Sequence, residues 1–233
     1  MIKYPSFSDP PSARETKWGF AWLGFQLIIL PVILVVANIM LPNPLSDGMV
    51  NVVYYIINAT VIFFLFRQYL TAAWRTAMER LPAVIWRALL GYLGYQALTS
   101  IVTLGITLFY PDFANVNDQN IFEMLEKDTI PLALGTVLLV PIAEETLYRG
   151  LLFRNLAKKN MALAFAVSMV AFAAIHVMGY IGTFPPTLLV LCFVQYLPAG
   201  FCLAWCYRQT GTIVTPILMH TLVNAVSIYY AIR

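Results

Sequence analysis

The sequence predicts an all-α fold, a polytopic transmembrane helix bundle of about seven spans with the sixth open to division in two. Three observations carry that prediction. Of 233 residues, 61% are hydrophobic and 11% charged. A soluble domain carries about 25% charged residues, so polar side chains cannot cover a globule of this size and lipid must be the main solvent. Seven apolar stretches approach the ~20 residues that cross ~30 Å of hydrocarbon. Between them, Lys and Arg fall on alternate connections, as they do when one side faces the cytoplasm.

The spans are expected at about 19–41, 50–67, 84–109, 130–156, 161–181, 184–207 and 210–231. The first apolar run is too long for the core of a cleavable signal and is expected to remain as a helix. The sixth starts at Pro185 and Pro186 and contains Pro198 and Gly200, which would allow two short helices. Between spans two and three, Trp74, Met78 and Leu81 alternate with Arg75, Glu79 and Arg80, which fits a short surface helix or a loop with apolar contacts. Ile121, Phe122 and Leu125, set among acids, invite the same two readings. No internal repeat or second domain is apparent, so residues 1–233 read as one membrane domain.

Orientation follows from the cations. Lys3, Arg14 and Lys17, then Arg67, Arg75, Arg80 and Arg87, then Arg154, Lys158 and Lys159, and finally Arg208 fall on one side, against Lys127 and Arg233 on the other. The third connection is acidic, with Asp112, Asp118, Glu123, Glu126 and Asp128. A multi-pass cell-membrane protein with a cytoplasmic N-terminus and an external C-terminus is expected. The net charge of +3 is too small and scattered for nucleic acid. Cys192, Cys202 and Cys206 share one apolar stretch, with Cys202 and Cys206 one helical turn apart. They read as packing residues in preference to a metal or redox pair.

Ionisable groups inside a membrane are costly and default to functional roles. Of the acids, only Glu144 and Glu145 lie within a span, and both histidines, His176 and His220, lie within others. At helical rise, Glu144 lies about 21 Å, His176 about 22 Å and His220 about 15 Å into their helices, with Asn224 one turn further. All are expected near mid-bilayer, converging on a cavity that opens toward the cytoplasm. Glu145 and Arg149 stand at i, i+4 in the favourable order for an ion pair. Tyr148 stands at the same spacing from Glu144 and could hydrogen-bond it. His220 and Asn224 share a face and form a donor pair.

These residues resemble the CAAX-protease and bacteriocin-processing membrane proteases (CPBP, also called Abi). Pro141 to Gly150, with Glu144, Glu145 and Arg149, is similar to the family's E-E-x-x-x-R motif. Phe172 to His176 is similar to its F-x-x-x-H motif, and His220 to Asn224 to its H-x-x-x-N motif. The likeness covers about 130–231, the expected catalytic core, whereas the first half shares only its apolar helices. The resemblance implies intramembrane peptide-bond hydrolysis, with Glu144 as general base activating water and His176 assisting. It implies that His220 and Asn224 hold the oxyanion, while Glu145, Arg149, Tyr148 and Phe172 support the site.

No cofactor is the favoured expectation. Zinc on Glu144, His176 and His220 is the alternative, although no H-E-x-x-H spacing is present. The expected partners are the lipid bilayer and a membrane-associated peptide or protein substrate, prenylated or not. Two other functions fit a chain of this kind. One is a non-catalytic bacteriocin-immunity or scaffold protein retaining the same core. The other is a proton-coupled transporter, which usually shows paired interrupted helices.

Overall fold

The structure is a computed structural model and describes residues 5–233; Lys3, counted among the N-terminal cations, lies outside the described residues. Among these there is no strand. The helices are α1 (Ala13–Ile39), α2 (Asp47–Leu65), α3 (Arg67–Glu79), α4 (Leu81–Phe109), α5 (Val116–Leu134), α6 (Val140–Glu145), α7 (Arg154–Ala157), α8 (Met161–Met178), α9 (Pro186–Thr210) and α10 (Val214–Ala231). Two π-helical segments, Gly135–Leu139 and Thr146–Phe153, join α5 to α6 and α6 to α7. Counting α5 to α7 as one, seven helical stretches are long and apolar enough to cross a membrane. The chain is a multi-pass membrane protein.

Local chemistry sets the helix starts. Ser12 and Glu15 form a reciprocal capping box on α1, satisfying backbone N–H groups that have no partner in the first turn. Glu15 also accepts a bond from the Tyr69 backbone N–H, tying α1 to α3. Ser46 caps α2 and donates its hydroxyl to Asp128 at 2.5 Å, where the α5 backbone kinks. Asn160 caps α8.

Burial divides the bundle. α1 and α4 turn large apolar side chains outward, among them Val32, Leu104 and Phe109, as a lipid-facing surface requires. The α5–α7 stretch and α9 are the most enclosed of the seven. The packing reading of the cysteines holds: all three are free and buried, and Cys206 sits against Met219.

The readings that the sequence leaves open resolve. The acidic segment around Ile121 and Phe122 is helical, the first part of α5, and the backbone kinks at Asp128, beside the expected start of the fourth span at 130. The segment around Trp74 is helix α3, with Tyr69, Ala73 and Ala77 buried and Trp74 and Met78 exposed. The sixth span does not split: α9 runs unbroken through Pro198. Gly200 explains how, since a Cβ there would meet the Met169 backbone at 3.0 Å. This close approach lets α8 brace α9 just beyond the proline.

One end of the bundle is plugged. The α9–α10 turn at Gly211, Thr212 and Ile213 is buried. The Thr212 hydroxyl donates to the Ala73 carbonyl on α3 at 2.7 Å, and the Ser8 N–H donates to the Gly211 carbonyl at 2.7 Å. Gly211 adopts φ 73°, where an L side chain is strained, and a Cβ would strike the Ser6 carbonyl. Arg80 closes the plug by donating to the Thr210 carbonyl at 2.9 Å.

Candidate active site

Three elements supply the motif residues. Glu144 and Glu145 end α6, His176 lies in the last turn of α8, and His220 and Asn224 lie on α10. π-helical turns commonly mark functional sites. Here they flank the glutamate pair, and Pro141 offers no N–H to the turn before it.

The support half is sealed. Glu145 and Arg149 are fully buried, with Arg149 Nη1 donating to Glu145 Oε1 at 2.9 Å. Arg149 Nη2 donates to the Gly200 carbonyl on α9 at 3.0 Å, and the guanidinium lies 4.5 Å from the Phe172 ring centre. His220 Nδ1 donates to the same Glu145 Oε1 at 2.9 Å. One carboxylate oxygen therefore fixes both the arginine and the catalytic-motif histidine. Phe172 is the packing hub, its ring 4.7 Å from that of His176 and 5.6 Å from that of His220.

The open half is a cavity of about 610 Å³ lined by Glu144, His176, His220 and Asn224 together. Glu144 Oε2 is buried with no protein hydrogen-bond partner, so it remains free for a ligand or water. His176 Nδ1 lies 2.8 Å from the Phe172 carbonyl, which can only accept. The proton must then sit on Nδ1, leaving the lone pair of the neutral ring on Nε2. The ring stacks on Tyr196 at 4.1 Å. The Tyr196 hydroxyl donates to Asp118 Oδ1 at 2.6 Å and accepts from Asn117 Nδ2 at 2.9 Å. Asn224 Nδ2 donates to the Thr136 carbonyl at 2.8 Å, which orients the amide and leaves its second N–H.

Residues 126–226 match the Rce1-like family. The matching family model is described as type II CAAX prenyl endopeptidase Rce1-like. The Rce1-like region holds all three motifs and starts within α5, so it excludes α1 to α4. No curated protein and no solved structure matches the chain.

Within the Rce1-like region three expectations are corrected. Tyr148 does not bond Glu144: its hydroxyl has no hydrogen-bond partner, and its ring packs edge-on against Phe172. α8 ends at Met178, before the expected 181, so His176 lies in its last turn. The cavity does not extend toward the basic connections. Its lining on α10 runs from His220 to Tyr230, and on α5 it takes in Asn117, Asp118 and Ile121.

Among the described residues, no three His, Cys, Asp or Glu side chains are grouped to hold a metal.

Other residues at the cavity escaped the sequence reading. Gln26 on α1 accepts from the Tyr54 hydroxyl at 2.6 Å and from Asn58 Nδ2, and Asn58 Oδ1 accepts from Trp22 Nε1 at 2.8 Å. Gln26, Tyr54 and Asn58 all line the cavity, as do Asp118 and Tyr196. The available signal was amides within apolar spans, which a search confined to ionisable groups passes over.

Proposed function

We propose that this chain is an intramembrane endopeptidase that hydrolyses a peptide bond with water activated by Glu144. One observation carries the proposal. The residues with chemistry from three separate motifs line one cavity, while their supports Glu145, Arg149 and Phe172 are sealed behind it. In this reading residues 130–231 are the catalytic core of a single membrane domain, with the N-terminus cytoplasmic and the C-terminus external.

Glu144 takes a proton from water, and His176 Nε2 accepts a second hydrogen bond from the same water. The water oxygen attacks the carbonyl carbon. The resulting oxyanion is met by Asn224 Nδ2 and by His220, whose ring Glu145 holds in place through Nδ1. Such donors act most strongly where bulk water is excluded. The proton held by Glu144 passes to the amide nitrogen, the C–N bond breaks, and a carboxylic acid and an amine leave, the acid then giving its proton to the amine.

The test compares membranes of cells expressing wild-type and Glu144→Gln protein by mapping new peptide termini with mass spectrometry. Termini found with the wild type alone support the proposal. Identical sets would remove it and favour a scaffold or immunity role.

A further inference from the structure

The cavity is asymmetric along the bundle, and its asymmetry is registered against the charge. Its lining on α2 falls between Asn51 and Asn58, in the part of the helix nearer Asp47, and on α8 it is confined to Ile175 and His176 at the end of the helix. On α10 it continues to Tyr230, beside the helix end at Ala231. All these helix ends lie at the acidic pole, with Asp112, Glu123, Glu126 and Asp128. The opposite pole carries Arg67, Arg75, Arg80, Arg154, Lys158 and Lys159. That basic pole is closed by α3, Ser8, Arg80 and the buried 211–213 turn.

The lining is also one-sided in charge. It holds the carboxylates of Glu144 and Asp118 and no Lys or Arg, since Arg149 is sealed behind Phe172 and Glu145. A free carboxylate near the scissile bond would meet two acids and no Lys or Arg, in a setting of low dielectric. The amides and phenols that line the cavity suit the peptide groups of an extended segment, which need partners away from water.

We infer that the site takes an internal segment of a polypeptide, neutral or basic around the cleaved bond, presented at the bundle end opposite the basic loops. With basic loops facing the cytoplasm, that end is the exported face. The inference rests on the proposed protease reading for its chemistry but not for its direction of access.

Access is tested without activity. Ser227 is exposed and lines the cavity, whereas the three native cysteines are buried. Intact cells expressing Ser227→Cys protein are treated with a membrane-impermeant maleimide, with wild type as control. Labelling of Ser227→Cys before permeabilisation is expected; labelling only afterwards overturns the inference while leaving the protease reading untouched. Charge is tested with reconstituted wild-type protein and two quenched peptides that differ only in a C-terminal amide or free carboxylate next to the cut. The amide is expected to be cleaved at least tenfold faster, and equal rates or carboxylate preference would overturn it. Failure to cleave either, with labelling as expected, would count against the protease reading alone.

Discussion

At the residue scale, Glu145 and Glu144 are chemically identical neighbours with opposite circumstances. Glu145 is enclosed and accepts from Arg149 and His220 through one oxygen. Removing one partner of a buried ion pair costs about 3–5 kcal/mol. Glu145→Ala and Arg149→Ala should therefore both reduce folded protein in detergent and lower its melting temperature. Full stability of both variants with activity lost would contradict the structural role. Among the described residues, Asn224 has one hydrogen bond to the fold, to the Thr136 carbonyl, worth about 1 kcal/mol. Asn224→Ala should stay folded yet lose about 10²–10³ in kcat, a result that purified protein and a cleavable peptide would check. Tyr196 holds the His176 ring by stacking and is itself held by Asp118. An aromatic contact contributes about 0.5–1.5 kcal/mol, so Tyr196→Leu should slow turnover up to about tenfold. Tyr196→Phe, which keeps the ring, should recover most of that loss. If phenylalanine is no better than leucine, the stacking has no positioning role. The Glu145–Arg149 pair was legible from spacing alone. The His220 bond to the same oxygen was not, because it joins residues far apart in sequence.

At the element scale, composition and length located all seven spans, but winding was hidden. Nothing in an apolar run distinguishes α from π turns, so the two π segments beside the glutamates were not legible. The unbroken α9 was misread because the rule for proline is local, while the brace that holds α9 straight is the α8 backbone at Met169. Gly200 is where this packing is tightest, and its carbonyl also receives Arg149. Gly200→Val should force α8 and α9 apart, costing about 1–3 kcal/mol and weakening the arginine anchor. Thermal unfolding in detergent reads this directly. A variant as stable as wild type would mean that the helices have slack the geometry does not show.

At the scale of the whole molecule, the charge bias and the position of the cavity are separate facts that agree on polarity. The sequence made the basic pole visible, but it could not show that α3 and the buried 211–213 turn plug it. That required contacts between segments separated by most of the chain. Reporter fusions after Lys159 and after Arg233 should report opposite sides, cytoplasmic and external respectively. The same side for both would contradict the topology. The central claim is that Glu144 removes the proton from the attacking water. The most direct measurement is the cleavage rate of a peptide substrate by purified Glu144→Gln protein in lipid discs, with folding confirmed by melting. Glutamine keeps the size and hydrogen bonding of the side chain but cannot accept the proton. The account predicts a folded protein with no measurable cleavage, and a rate equal to the wild type would contradict it.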